Sequence, residues 1–309
     1  MSSLRDDPSA IRAHTAGALM AESPHDRFPD TYVPEVGPVR IPGKDIFDPA
    51  TIHTWSSFRV GPPELDDPGA QHAWRAANRL RTEAVVTAIA GSNLRDTLVL
   101  RGSWLLALWE GEHAREPHDL DFVALRPART GPTMEALRGV LAADDWLRRL
   151  GCRPDELRIE GIWTYERAEG RRIMLPWIDR GRAGTVQVDV TFDEDVPLAP
   201  EEIEAAPGAV LRCVTRELSL AWKVMWLLTD GHPQGKDLFD AVLLARSTLL
   251  STDLRRWIGH ELADMGVYDA SPERIQVPDW DWFVAEYPDL ARGWTVKALH
   301  AELVRLLEG

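Results

Sequence analysis

His118-Asp119-Leu120-Asp121-Phe122-Val123-Ala124-Leu125 reads as a strand whose two faces differ in kind. Side chains alternate along an extended chain, so Asp119 and Asp121 share one face while Leu120 and Phe122 share the other. Burying the apolar pair leaves two carboxylates one pleat apart. Two like charges at about 4 Å repel by roughly 4 kcal/mol at an effective dielectric of 20. A strand in a packed sheet needs a cation to carry that repulsion, and carboxylate oxygens are the ligands Mg2+ prefers.

Two neighbouring stretches extend the pattern. Upstream, Thr97 to Arg101 is a short apolar strand, followed by Gly102-Ser103 and an apolar helix from Trp104 to Trp109. Glycine lets a backbone approach a ligand closely, and the N–H groups of a helix start, with the Ser103 hydroxyl, suit phosphate oxygens. The competing reading is a plain strand-to-helix cap. Downstream, Val186-Gln-Val-Asp189-Val-Thr-Phe192 alternates strictly and places Asp189 between valines. A carboxylate there is costly without a partner, which is either a metal or a nearby arginine. Three carboxylates on adjacent strands can hold two metals roughly 3.5–4 Å apart, the arrangement of in-line nucleotidyl transfer.

The rest of the chain sets the frame. Of 22 prolines, 10 fall in residues 1–73, which show no sustained period and read as an extended arm. Apolar spacing predicts a helix over 71–90 and another over 133–150. Residues 157–166 and 171–178 resemble a hairpin. After Pro200 the pattern turns helical, with candidates at 217–228, 236–250, 253–265 and 296–307. The expected organisation is α+β over 74–200, a mixed sheet with flanking helices, followed by a helical C-terminal domain over 201–309. Trp104, Trp109, Trp222 and Trp226 fall at helical spacing and read as core. Trp280-Asp-Trp282-Phe283 reads as a satellite core cluster or a stacking face for a base.

Composition narrows the function. The 309 residues carry a formal charge of −14, which argues against a surface coated for nonspecific nucleic-acid binding. Residues 122–184 alone are net positive, with 12 basic against 9 acidic side chains. Arg167, Arg171, Arg172, Arg180 and Arg182 crowd there, as a solvated face or as a patch tracking a polyanion such as tRNA. Two cysteines, Cys152 and Cys213, are expected as reduced thiols. There is no apolar leader at Met1 and no run of membrane-spanning length, so the expectation is a cytoplasmic protein with no membrane partner.

Taken together, Gly102-Ser103, Asp119-Leu-Asp121 and Val188-Asp189-Val190 resemble the signature of the polymerase-β-type nucleotidyltransferase superfamily. In the helical half, Glu217-Leu-Ser-Leu-Ala-Trp-Lys223 and Lys236-Asp237-Leu-Phe-Asp240 are similar to later motifs of the AbiEii/AbiGii-type nucleotidyltransferase toxins, including the MenT-type toxins. The resemblance covers about residues 75–250. It implies a polymerase-β-like fold, Mg2+ or Mn2+ at Asp119, Asp121 and Asp189, an NTP substrate held by Gly102, Ser103 and Lys223, and active-site roles for Lys223 and Asp237. It also implies an RNA acceptor such as the tRNA 3′ end and a cognate antitoxin. From the residues alone, Lys223 lies in an apolar helix stretch and either snorkels to the surface or meets phosphate. Asp237 is either a helix-start charge or a site residue. A protein or small-molecule hydroxyl as acceptor, and a catalytically silent nucleotide-binding module, stay open as other readings.

Overall fold

Seven strands form one mixed sheet in the order β5-β6-β7-β4-β3-β9-β8. They are β3 (Leu98–Arg101), β4 (Asp119–Ala124), β5 (Arg158–Thr164), β6 (Ala168–Asp179), β7 (Arg182–Thr191), β8 (Glu201–Ala206) and β9 (Ala209–Cys213). A separate antiparallel pair, β1 (Asp45–Phe47) and β2 (Phe58–Val60), precedes them. This is a computed structural model, described over residues 45–47, 58–63, 65–164, 168–230, 233–275 and 280–308. Most of the proline-rich segment expected as an arm, and Arg167, lie outside the described residues.

The chain forms two compact units. One takes the described residues up to 99 with 118–194 and 203–212, and the other takes 100–117, 195–202 and the described residues from 213 onward. In the first unit β5, β6 and β7 are antiparallel neighbours, and β4 runs parallel to β7. Helix α1 (Pro68–Ala90) begins where the Asp67 carboxylate accepts the Gly69 and Ala70 N–H groups, with Pro68 pre-set for the first turn. Its apolar face buries Trp74, Val85, Val86 and Ile89. Trp74 packs on Trp177 of β6 at 6.2 Å between ring centroids, and the Trp177 indole donates to Asn78 Oδ1 at 2.9 Å. Gly184 of β7 is what admits that indole. A Cβ there would meet Trp177 at 2.4 Å.

Two expectations are corrected. The helix expected over 133–150 is two helices, α3 (Thr130–Ala143) and α4 (Asp145–Arg149), because Asp144 turns extended and its carboxylate accepts the Leu147 N–H at 2.8 Å. The stretch after Pro200 is not helical at first. It returns to the sheet as β8 and β9, turning at Pro207-Gly208, where Gly208 takes φ +74. Glu201-Glu-Ile-Glu-Ala-Ala reads as helix by composition, yet it forms the outermost strand, whose first residues are exposed and carry charge as edge strands do. The Pro-Gly pair was the sequence signal for that turn.

The second unit gathers helices α2 (Ser103–Glu110), α5 (Arg216–Thr229), α6 (Gly235–Ser247), α7 (Thr252–Asp264), α8 (Asp281–Glu286), α9 (Pro288–Ala291) and α10 (Val296–Glu308). Thr215 caps α5 by accepting the Leu218 N–H at 3.1 Å. Leu218 and Leu220 through Leu228 are buried, so α5 is covered on nearly every side, as a central helix must be. Phe283 is buried between Phe239 and Trp280. Of the expected 280–283 cluster, Phe283 is core, while Trp280 and Trp282 are half-buried. No helix among the described residues is long and apolar enough to cross a membrane.

Candidate active site

The register of β4 on β7 builds an acidic face. Asp121 lies opposite Asp189, and Asp119 opposite Gln187. Because both strands alternate in phase, these four side chains emerge on one side of the sheet. Leu120, Phe122, Val188 and Val190, all at most 0% exposed, emerge on the other. One carboxylate oxygen from each of Asp119, Asp121 and Asp189 lies within 4.8 Å of the others. Convergent hard oxygen donors at this spacing fit a divalent cation such as Mg2+.

Asp189 also has the other partner that its setting called for. Arg172 of β6 stands directly opposite it, and its Nε and Nη2 donate to Asp189 Oδ1 and Oδ2, both at 2.6 Å. Gln187 Nε2 donates to Asp189 Oδ2 at 3.2 Å and to Asp119 Oδ2 at 3.4 Å. Burial pushes the Asp189 carboxyl above the usual carboxylate range. Arg172 opposes this and the nearby Asp119 charge adds to it. A carboxylate oxygen has lone pairs for both an arginine and a metal, so the two partners are compatible.

The other site candidates lie in the helical unit. Gly102 takes φ +80 as α2 begins at Ser103, a backbone that a side chain disfavours, and Ser103 is buried. Lys223 of α5 is 8% exposed, so it does not snorkel. Its Nζ lies 2.6 Å from Asp237 Oδ1 and 3.3 Å from Asp240 Oδ2, both on α6. Burial works against the ammonium, but Asp237 and Asp240 outweigh it and hold the Lys223 pKa above the usual lysine value. Asp237 is thus more than a helix-start charge. A cavity of about 20 Å³ opens beside this pair, lined among others by Gly102, Trp109, Trp222, Lys223, Trp226 and Asp240. Trp222 and Trp226 stack there at 6.3 Å, and Lys223 Nζ sits 5.0 Å from the Trp226 ring centroid. Trp109, Trp222 and Trp226 therefore wall a mainly apolar hollow, with Trp222 and Trp226 buried like Trp104, as the core reading expects.

Sequence reasoning missed Arg115. Its guanidinium grips Asp240 with Nε on Oδ1 at 3.1 Å and Nη2 on Oδ2 at 3.1 Å, with Arg115 7% and Asp240 1% exposed. Among 31 arginines nothing marked this one. The only hint was its place four positions before Asp119.

Among the described residues the arginine patch does not form a continuous free face. Arg172 is 3% exposed and committed to Asp189. Arg171 pairs with Glu169, and Arg182 donates to the Ala73 carbonyl at 3.1 Å. Arg180 alone of the described four is widely exposed, beside Asp179. Strand pairing sends alternate arginines to opposite faces, which a count of charges along the sequence does not reveal. Cys152 and Cys213 are free and buried, and burial raises the Cys152 thiol to about 11.

Two solved structures from Helicobacter pylori resemble the chain. One, of a protein assigned as a nucleotidyltransferase, has 15% identity and a TM-score of 0.47, and covers 75% of this chain and 92% of that one. The other, of JHP933, has 16% identity and a TM-score of 0.44, and covers 75% and 89%. No curated protein matches. The profile described as "Nucleotidyl transferase AbiEii toxin, Type IV TA system" matches residues 84–298, more than two thirds of the chain, and takes in all three aspartates, Lys223 and Asp237. The chain therefore belongs to the AbiEii family, the nucleotidyltransferase toxins of type IV toxin–antitoxin systems.

Proposed function

We propose that this nucleotidyltransferase moves a nucleoside monophosphate from an NTP to an RNA 3′ hydroxyl, with a tRNA end as acceptor and pyrophosphate as the second product. The observation that carries the transfer is the convergence of Asp119, Asp121 and Asp189 on one sheet face, while the RNA acceptor is supported by the toxin family alone. These residues would hold Mg2+ or Mn2+, which when bound stabilises charge developing on the phosphates and favours the ionised acceptor hydroxyl. The remaining work belongs to the chain's own groups. The acceptor oxygen forms its bond to the α-phosphorus while the bond from that phosphorus to the β-bridging oxygen breaks. Asp189 accepts the hydroxyl proton, which passes to solvent. Gly102 and the Ser103 N–H and hydroxyl hold the β- and γ-phosphates. Lys223 sets a point charge against the phosphates, and Asp237 fixes its ammonium in place.

The cytoplasm, where NTP and tRNA meet, is the expected site of action, and membership of a toxin–antitoxin family supports a cognate antitoxin as partner. The test incubates the full chain and Mg2+ with each labelled NTP in turn, with total RNA or with protein alone. Label on RNA that vanishes in Asp121→Ala is the expected result. Label confined to protein or to a small molecule overturns the RNA acceptor. No label in any combination favours a silent nucleotide-binding module.

A further inference from the structure

Arg115, Asp240, Lys223 and Asp237 form an unbroken series of charge contacts inside the helical unit, each at most 8% exposed. Asp240 Oδ2 is shared, at 3.1 Å from Arg115 Nη2 and 3.3 Å from Lys223 Nζ. The arginine holds both Asp240 oxygens in a fork, the stronger and more directional form of pairing. The lysine leans the other way, to Asp237 at 2.6 Å. Within this series each carboxylate meets a cation. Lys223 and Asp240 both line the cavity that Gly102 also lines. Without Arg115 the wall of that cavity would carry one uncompensated carboxylate, and the Lys223 ammonium would be held by two.

We propose that Arg115 is a positioning residue that neutralises Asp240 and so leaves Lys223 available to the phosphates of the nucleotide. This rests on the reading that Lys223 meets those phosphates. Arg115 itself touches no substrate. It acts by removing the charge that would otherwise repel a polyphosphate and compete for the lysine.

The distinguishing experiment uses four full-length variants: Arg115→Met, Arg115→Lys, the double variant Arg115→Met with Asp240→Asn, and Lys223→Ala. Affinity for NTP is read from indole fluorescence, KM and kcat from labelled-NTP transfer, and folding from far-ultraviolet circular dichroism. Arg115→Met is expected to weaken NTP binding and raise KM roughly tenfold or more, as one uncompensated charge near phosphate requires, with a smaller change in kcat. The double variant, which removes the orphaned carboxylate charge, is expected to return NTP affinity most of the way to wild type. Arg115→Lys falls between. The proposal is overturned if Arg115→Met binds NTP as wild type does, or if the folded double variant binds no better than the folded single one. Should Arg115→Met fail to fold, the comparison of the double variant and Arg115→Lys with wild type decides by the same criterion. Lys223→Ala separates the two levels. If it binds and transfers normally, the role of Lys223 itself falls. If it is inactive while Arg115→Met behaves as wild type, only the role of Arg115 falls.

Discussion

Asp189 in the sheet and Asp240 in the helices are both buried aspartates, each gripped by two nitrogens of an arginine fork. Their acidities nevertheless move in opposite directions. Burial raises both. For Asp189 the arginine does not overcome it, and the next neighbour is the carboxylate of Asp119. For Asp240 the arginine is joined by the ammonium of Lys223, and the carboxyl is held below its ordinary value. The sheet therefore presents a surplus of negative charge on a partly open face, and the helices hold a balanced set in their interior. A surplus is what a cation site needs. A balanced interior set is what fixes a lysine in one place.

Removing a carboxylate from the sheet should cost function and leave the fold standing. Asp121→Asn is expected to lower transfer by about 10³-fold, the several kcal/mol that a bound metal supplies to the transition state. Its midpoint in urea should stay close to that of wild type, because Asn keeps the size and hydrogen-bonding capacity of the side chain. A large loss of stability in Asp121→Asn would break the contrast.

The helical set should behave the opposite way. Lys223→Met leaves two buried carboxylates with Arg115 alone, and a loss of about 3–5 kcal/mol in unfolding free energy is expected alongside lost activity. Urea denaturation at neutral pH measures it, and a cost below about 1 kcal/mol would show that the set is not balanced around the lysine.

Arg172→Gln sharpens the sheet side. It strips Asp189 of its fork and should cost about 2 kcal/mol in metal-free buffer. Mn2+ should then raise the melting temperature of the variant more than that of wild type, since the metal becomes the principal cation facing Asp189. Equal shifts in both proteins would mean that arginine and metal do not share this carboxylate.

The smallest effect is read from pH. Asp240 has a lowered folded pKa, so its stabilisation is present above the unfolded value near 3.8 and is lost as pH falls through the lowered value. Lys223, with a raised pKa, contributes fully below 10.5 and loses its contribution as pH climbs through the raised value. The stability gap between wild type and Asp240→Asn should therefore hold level across neutral pH and close only in acid.

Much of this was open to reading before any fold was known. The alternation of Asp119-Leu-Asp121-Phe and Val188-Asp189-Val190 placed the acids on one face of strands, because side-chain direction in a strand has a period of two. The apolar stretch around Lys223 marked a helix and left its ammonium open between snorkelling and a buried role, and the fold buries it. The outermost strand β8 was missed because an exposed outer strand needs little alternation, and Glu and Ala there look helical; β9 beside it does alternate but is only five residues long.

What the order of residues determined by itself is local: which stretches alternate, which turn on glycine, and which acids lie on which side of their own strand. Only tertiary structure decided who faces whom. That Asp121 meets Asp189 follows from the β4–β7 register, and that Arg172 crosses to the same carboxylate follows from β6 pairing with β7. Arg115 reaches Asp240 across 125 positions of chain. Such partnerships are bought by packing, which brings distant charges together at low dielectric, and no local pattern encodes them.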